Sequence, residues 1–493
     1  MHCTPLFRSG ASPLITLIKP RSALFLLLLF SLPLGPEITS AQASELEVGG
    51  EVGSSFGAYL FSCQPDCFFL DYQNRNVVDL YLNAYITPEV TARAALSLRN
   101  ENIPQIRRAE DTGQISNLQP FELRITDAWV EGHDFLVPGL DLRVGAQTIQ
   151  WGTGDGFSPS NRLSPVDLSD PTFFDRRLAT PATLATYHRG DFTFSAAWIP
   201  FFLPATITPR VIDAVAGPDS ADDIDFDSTI EGDPLVVDQV RTRIELPIQR
   251  FSESAYALRV HWAARYADLA LGYYYGRDHL PQLSGEVIPE NFFDGETTDL
   301  VVNLRYPRLQ MLAAEARAPI GESSWTAWVD GALIFPARTR IFITQSRLQD
   351  LERLGAIDEA PDEDITAIIQ TGEPYLNFMV GADTSLGSHL YLNFQYLRGF
   401  LFERNPSDLH HYLLVGVQIP NRESPLNFEA RLGAEATSRF DAFGALAQLR
   451  LSYLHGDALE VFASSALQMG QTGTTLGRFA GLSEVRIGAS AHF

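Results

Sequence analysis

Cysteine, cationic residues and long apolar runs are all scarce in this 493-residue sequence. Three cysteines exclude a disulfide-dense scaffold, a four-cysteine zinc module and an iron–sulfur cluster held by this chain alone. The 36 cations stand against 60 anions, for a net charge of −24, so no basic face suits a phosphate backbone and we expect no nucleic-acid partner. Past residue 43 no apolar run is long enough for a membrane-spanning helix.

Familiar enzyme motifs are missing as well. No G-x-S-x-G, no H-E-x-x-H and no phosphate-binding loop occurs, so we expect no catalytic residues, no cofactor and no metal site. The His410-His411 pair has no nearby carboxylate ladder and is expected on the surface. A hydrolase that assembles its serine, histidine and acid from different strands stays a less favoured alternative.

The N-terminus has the pattern of a secretory signal peptide. Arg8, Lys19 and Arg21 flank the 12-residue apolar segment Ala23–Leu34, and Ala41–Ala43 offers a small-x-small cleavage site. Twelve residues are too few for a spanning helix, which needs about 20. We therefore predict an exported protein with a signal peptide at 1–43 and a single domain at 44–493, whose net charge after cleavage is −26. An uncleaved membrane anchor is the alternative.

The rest of the chain is dominated by segments of about ten residues in which every second residue is apolar. Near the C-terminus, for example, Arg486, Gly488, Ser490 and His492 alternate with Val485, Ile487, Ala489, Ala491 and Phe493. Short and long connections alternate along the chain. The short ones are tight turns such as 87–89, 189–191, 267–268, 387–389 and 455–457, and the long ones lie near 102–121, 152–182, 203–254, 281–297 and 341–373. This alternation of short and long connections is typical of a transmembrane β-barrel, which also removes the unpaired sheet edge.

Counting the segments predicts an all-β, antiparallel up-and-down barrel of about 16–18 strands with long extracellular loops. An even number places both termini on the periplasmic side. Strand signals are weak around 183–189, and Pro307 leaves open whether 300–320 is one bulged strand or two short ones.

The signal peptide, the alternating strands and the terminal Phe493 together resemble Gram-negative outer-membrane β-barrels. The segment 143–152 (RVGAQTIQWG), followed by 161–170 (NRLSPVDLSD), is similar to porin-like barrels in families of unassigned function. This resemblance implies the outer membrane of a Gram-negative bacterium, contacts with its lipid and lipopolysaccharide, and recognition of Phe493 by the barrel-assembly machinery. It implies no particular substrate.

If the apolar residues face lipid, the residues between them line the lumen. Pore-lining candidates on the strands are Arg143, Gln147, Arg259, Arg265, Glu429 and Arg431. Opposed rows of charge would create a field across the pore that orients a polar solute. The alternative, compatible with the first, is a cross-strand network of ion pairs that only satisfies the barrel interior.

The loop 152–181 is the best candidate for a constriction. It combines aromatic and proline residues with the charged candidates Arg162, Asp167, Asp170, Arg176 and Arg177. Such a loop can be packed against a wall and still present charge, so it either folds into the lumen or forms a lid over the outer rim.

Two further motifs lie in predicted outer connections. Cys63 and Cys67 enclose three residues, and an oxidising envelope favours a disulfide between them. The acidic stretch 219–233 collects carboxylates at alternate positions as Ca²⁺ sites do, but it fails the EF-hand template, so a solvated acidic loop is favoured.

These features together predict a porin-like channel for passive diffusion of small polar solutes or ions. The negative charge of the chain favours a mild cation preference unless arginines line the narrowest part. The alternative is a non-conducting barrel that displays its loops at the surface.

Overall fold

The alternating segments form one closed antiparallel barrel of 18 strands. The computed structural model describes residues 45–60, 72–100, 120–154, 156–170, 175–208, 211, 237–290, 298–353, 360–387, 389–419, 425–456, 458–471 and 473–493. The ring closes between its first and last strands, from Glu51 opposite His492 to Tyr59 opposite Glu484. The predicted fold class and the predicted number of strands are confirmed.

The strands follow one another around the ring in chain order. They are β1 (Glu45–Tyr59), β2 (Tyr72–Thr87), β3 (Val90–Asn100), β4 (Phe121–Gly132), β5 (Leu140–Gln147), β6 (Thr180–Arg189), β7 (Phe192–Ile199), β8 (Ala255–Ala264), β9 (Ala267–Arg277), β10 (Arg308–Pro319), β11 (Trp325–Pro336), β12 (Tyr375–Leu386), β13 (Leu390–Arg398), β14 (His411–Ile419), β15 (Leu426–Ala436), β16 (Phe443–His455), β17 (Leu459–Gly470) and β18 (Glu484–His492).

One end of the barrel carries the long connections and the other carries the short turns, together with the first and last strand termini. The predicted weak strand near 183–189 is present as β6. The region 300–320 is two strands, Thr298–Arg305 and Arg308–Pro319, and only the second belongs to the barrel. The turn expected at 267–268 lies instead at 265–266, because β9 begins at Ala267.

The outer face of the barrel is apolar. The exposed alternate residues include Val48 (62%), Leu123 (65%), Leu271 (68%) and Ile487 (62%). Their neighbours along each strand carry the charged and small side chains and point into the lumen, as the period-2 geometry of a strand requires. Phe493 continues β18, exchanges backbone hydrogen bonds with Gly50 at 2.9 and 3.1 Å, and is 65% exposed on the outer face.

The long connections carry short secondary structure of their own. Near the long-loop end, the loop strand Thr298–Arg305 pairs with Val237–Ile244, Gln282–Leu283 and Ile288–Glu290. A second loop strand, Thr339–Ile343, pairs with Gly285–Glu286 and Ile365–Gln370. Helix α1 (Gln345–Arg353) lies in the connection between β11 and β12, and helix α2 (Thr475–Arg478) lies in the connection between β17 and β18. Leu348 and Leu351 of α1 belong to a buried apolar cluster with these loop strands. No helix in the described ranges is long and apolar enough to cross a membrane.

Candidate pore and its inward loop

Several lumen-facing polar residues are paired with a neighbouring strand. Arg143 on β5 donates to Glu131 on β4 at 2.8 Å. Arg259 on β8 reaches across β9 and donates to Glu315 on β10 at 2.7 Å. Gln147 is buried, and its Nε2 donates to a backbone carbonyl of β6 at 3.1 Å. These contacts favour the ion-pair-network interpretation for Arg143 and Arg259.

The connection between β5 and β6 is called the inward loop below, and its described residues, 148–154, 156–170 and 175–179, fold into the lumen. Its first half contacts β11, where the fully buried Asp330 accepts hydrogen bonds from the hydroxyls of Ser158 and Ser160, the latter at 3.0 Å. The backbone N–H groups of Thr153 and Ser160 donate to the same carboxylate at 3.3 Å. Asp330 therefore latches the loop to the wall, and of the two alternatives for this loop the structure shows the inward one.

The glycine of the Trp-Gly motif makes this latch possible. Gly152 has a φ of +118°, a backbone conformation that residues other than glycine rarely adopt. A Cβ at this position would lie 1.8 Å from the Ser158 hydroxyl oxygen and 2.8 Å from Oδ2 of Asp330. The backbone can approach the carboxylate only because residue 152 has no side chain.

The second half of the inward loop contacts the opposite wall through two aspartates. Asp170 lies 2.6 Å from Arg75 and 3.8 Å from Arg486, and Asp167 lies 2.9 Å from Arg124 and 3.5 Å from Arg99. We call these four arginines the arginine arc. Arg486 on β18 and Arg75 on β2 lie on the two strands next to β1, and Arg99 on β3 and Arg124 on β4 follow around the ring. Burial raises the pKa of Asp167, but its hydrogen bonds with Ser169 and the positive arc more than offset this and hold the pKa below its ordinary value.

Apolar packing fills the space between the inward loop and the wall formed by β6–β12. Ile149, Trp151 and Leu163 of the loop share one buried cluster with lumen-facing side chains of these strands. Much of this part of the wall is alanine: Ala182, Ala197, Ala255, Ala257, Ala313 and Ala332. Small side chains here leave room for the first half of the loop, which is packed against this side of the barrel.

A charged cavity of about 450 Å³ remains on the other side. The wall from β15 through β18 to β3 lines it, with Asp170 and Arg176 from the inward loop. Its charged lining consists of six arginines and five carboxylates: Arg75, Arg99, Arg176, Arg431, Arg450 and Arg486 with Glu51, Asp79, Asp170, Glu429 and Glu484. Of the predicted pore residues, Asp170, Arg176, Glu429 and Arg431 therefore come together around one space.

Other predicted pore residues lie elsewhere. Arg162 and Arg177 line a separate buried pocket of about 30 Å³ beside His279, and burial together with the charge of Arg162 lowers the pKa of Arg177 to about 10. Arg265 was expected on the lumen wall, but it lies exposed in the turn between β8 and β9 at the short-turn end, 5.1 Å from the ring centre of Tyr266. Cys63, Cys67 and the acidic stretch 219–233 lie outside the described residues.

The site candidates chosen from the sequence omit two residues that hold the inward loop. Arg124 lies on β4 just before a bulge. The bulge is the register irregularity between the pairs Leu96–Ile125 and Ala95–Asp127. Such a bulge reverses which alternate residues face inward, so a strict period of two misplaces one half of the strand. Alternation along β11 correctly places Asp330 on the lumen face, but nothing in the sequence nearby indicates its partners in the loop.

His410, the first residue of the histidine pair at the start of β14, does not lie on the surface as the sequence predicts. The side chain of His410 is only 14% exposed, and its Nδ1 donates to Glu435 at 2.7 Å and lies 3.5 Å from Glu403. The hydroxyl of Tyr412 donates to Glu403, and the backbone N–H groups of Thr475 and Leu476 donate to Glu435 at 2.7 Å. We call His410 and its two carboxylate partners the acid–histidine cluster.

The acid–histidine cluster is the one group of three spaced for a metal ion among the described residues. Its carboxylate oxygens already accept hydrogen bonds from side chains and from the first turn of α2. These contacts satisfy the carboxylates without an ion. The negative charge raises the pKa of His410 against the opposing effect of burial. The cluster thus joins the long-loop end of β14 and β15 to the connection that contains α2.

Comparison with known proteins yields a family and a set of barrels. The family model described as "Protein of unknown function (DUF1302)" matches residues 72–332, more than half of the chain. No curated protein matches the chain significantly.

Similar solved structures include Acinetobacter baumannii OccAB4, at 8% identity over 91% of this chain and 98% of that chain, with a TM-score of 0.48. A BenF-like porin from Pseudomonas fluorescens Pf-5 shows 8% identity over 91% and 98%, with a TM-score of 0.46. The outer membrane protein OpdK from Pseudomonas aeruginosa shows 10% identity over 91% and 98%, with a TM-score of 0.45. This likeness concerns the barrel fold alone.

Proposed function

The chain belongs to the DUF1302 family of proteins of unknown function, and we propose that it forms a porin-like channel in a bacterial outer membrane. The channel would pass small polar solutes or ions by diffusion. The observation that carries this proposal is the charged cavity beside the inward loop, inside a barrel whose outer face is apolar. Lipid and lipopolysaccharide would surround the barrel, and recognition of Phe493 by the assembly machinery stays a prediction.

The size of the ring supports a channel. Eighteen strands about 4.8 Å apart and tilted by ~40° make a ring roughly 36 Å across between backbones. Side chains extend about 5 Å inward from each wall, which would leave a lumen roughly 26 Å wide. Wall side chains alone therefore do not fill this barrel, and the inward loop sets its effective width.

The lining of the cavity also revises the expected ion preference. The chain as a whole is strongly anionic, whereas the charged cavity has six arginines against five carboxylates. Since permeating ions respond to the charges nearest their path, we propose that the pore lacks the cation preference suggested by the total charge.

Planar-bilayer recording of the purified, folded protein tests the channel. We expect ion current from the wild type and a several-fold larger conductance after deletion of residues 153–180. Absence of current from both proteins would refute the channel and favour the non-conducting, loop-displaying barrel. Migration of the unheated protein as a folded barrel in gel electrophoresis is the control for folding.

A further inference from the structure

Arg431 differs from the other arginines on the described lumen wall near it. It faces the lumen on β15, opposite Gly416 on β14 and Gln448 on β16, and its side chain is exposed to the cavity. Among the described residues no hydrogen-bond acceptor or carboxylate contacts its guanidinium. By contrast, Arg450 on the neighbouring strand donates to Glu460 at 2.9 Å and lies 4.0 Å from the ring centre of Phe462.

A second, mainly apolar cavity of about 100 Å³ opens beside Arg431. Its apolar lining includes Phe157, Phe400, Leu414, Leu446 and Leu476. Arg431 lines both this cavity and the charged cavity, so its guanidinium stands at the boundary between a polar and an apolar space.

Among the described residues, two carboxylates near Arg431 also face this region. Asp175 of the inward loop lines the apolar cavity and interacts electrostatically with Arg177. Glu429, two residues before Arg431 on the same face of β15, accepts a hydrogen bond from Gln418 at 3.2 Å. Neither contacts the Arg431 guanidinium, so within the described part of the chain its donors stay available.

We propose that Arg431 and the adjoining apolar cavity form a binding site for small amphipathic monoanions, in which a carboxylate binds Arg431 and a short apolar group enters the cavity. The planar guanidinium offers two parallel donors to a carboxylate. Each methylene that leaves water contributes roughly a fourfold gain in affinity. This inference deepens the proposed function and rests on it, because the site would select solutes within the same channel.

Ligand-observed NMR titration of the purified full chain in detergent micelles tests the site with pentanoate, acetate and pentylammonium. We expect pentanoate to bind about tenfold or more tighter than acetate, since part of its three additional methylenes becomes buried. Pentylammonium, with the same tail and the opposite charge, should not bind at this site. Equal affinity for pentanoate and acetate, or tighter binding of pentylammonium, would overturn the proposal.

Three variants separate the two halves of the site. Arg431→Gln should reduce pentanoate affinity at least tenfold, and Leu414→Phe should fill the cavity and remove the advantage of pentanoate over acetate. Arg93→Gln is the matched control, because Arg93 faces the lumen on β3 but contacts Asp127 and Asn83 away from both cavities. Unchanged pentanoate affinity in Arg431→Gln would refute the assignment.

Conductance of the same proteins distinguishes this inference from the channel itself. In a conducting wild type, pentanoate should reduce KCl current at concentrations that scarcely affect Arg431→Gln. A wild type without current would refute the proposed function, whereas the titration would still decide whether the site binds the anion. Migration of each unheated variant as a folded barrel in gel electrophoresis is the control for misfolding.

Discussion

Replacement of Asp330 by alanine should release the inward loop. The carboxylate accepts two hydroxyl and two backbone hydrogen bonds from the loop, and it is fully buried. A typical hydrogen bond contributes about 1 kcal/mol, and the two backbone contacts are long, so the variant loses roughly 3 kcal/mol of loop docking. That change corresponds to an approximately 100-fold larger population of the released loop.

Trypsin provides a direct assay, because the chain has no lysine after Lys19 and its tryptic sites in the inward loop are Arg162, Arg176 and Arg177. When loop opening is faster than cleavage, the cleavage rate follows the open population, so Asp330→Ala should be cut about 100-fold faster in the loop than the wild type. The single-channel current should also become noisier as the loop leaves its seat.

Asp383→Ala is the control for this experiment. Asp383 also faces the lumen, but its partners are the indole N–H of Trp328 at 3.1 Å and Arg317 at 3.8 Å, both on the wall. If Asp330→Ala folds as a barrel and its loop is cleaved no faster than in Asp383→Ala, the latch as we describe it is wrong.

Three further predictions concern the same contacts. Gly152→Ala should speed tryptic cleavage of the loop through its clash with Ser158, whereas Gly321→Ala, also at positive φ but with open space around the new Cβ, should not. Asp170→Asn should shift the reversal potential in a KCl gradient toward anion preference by leaving the arginine arc less neutralised, and an unshifted potential would contradict this. The stabilisation from protonated His410 should be complete below its ordinary pKa of 6.5 and lost as the pH rises through its raised pKa, so thermal stability of the wild type should fall as the pH rises beyond 6.5. His410→Gln should flatten that dependence, and an equally steep profile in the variant would refute it.

The barrel itself could be predicted because its signal is local. A strand places alternate residues on opposite faces, so a sheet with lipid on one side and water on the other leaves a period-two pattern in every segment. The long and short connections are equally visible as gaps in that pattern. Prediction fails where the period breaks, at the bulge that follows Arg124 and at the turn that contains Arg265.

The sequence alone leaves the destination of the inward loop open, because the contacts of this loop are remote in sequence. Ser158 and Asp330 are 172 residues apart, and nothing local distinguishes Asp330 from the other lumen carboxylates. His410 was misplaced for a similar reason, since its partner Glu435 lies on the next strand and the first turn of α2 arrives from the connection after β17. The sequence by itself determined the all-β class, the strand number to within two, and which side chains face inward along the regular strands, because these follow from alternation along single strands. Only the tertiary structure decided that the loop folds into the lumen and that Arg431, which contacts no acceptor among the described residues, stands between a charged and an apolar cavity, because ring closure brings those residues together from distant segments.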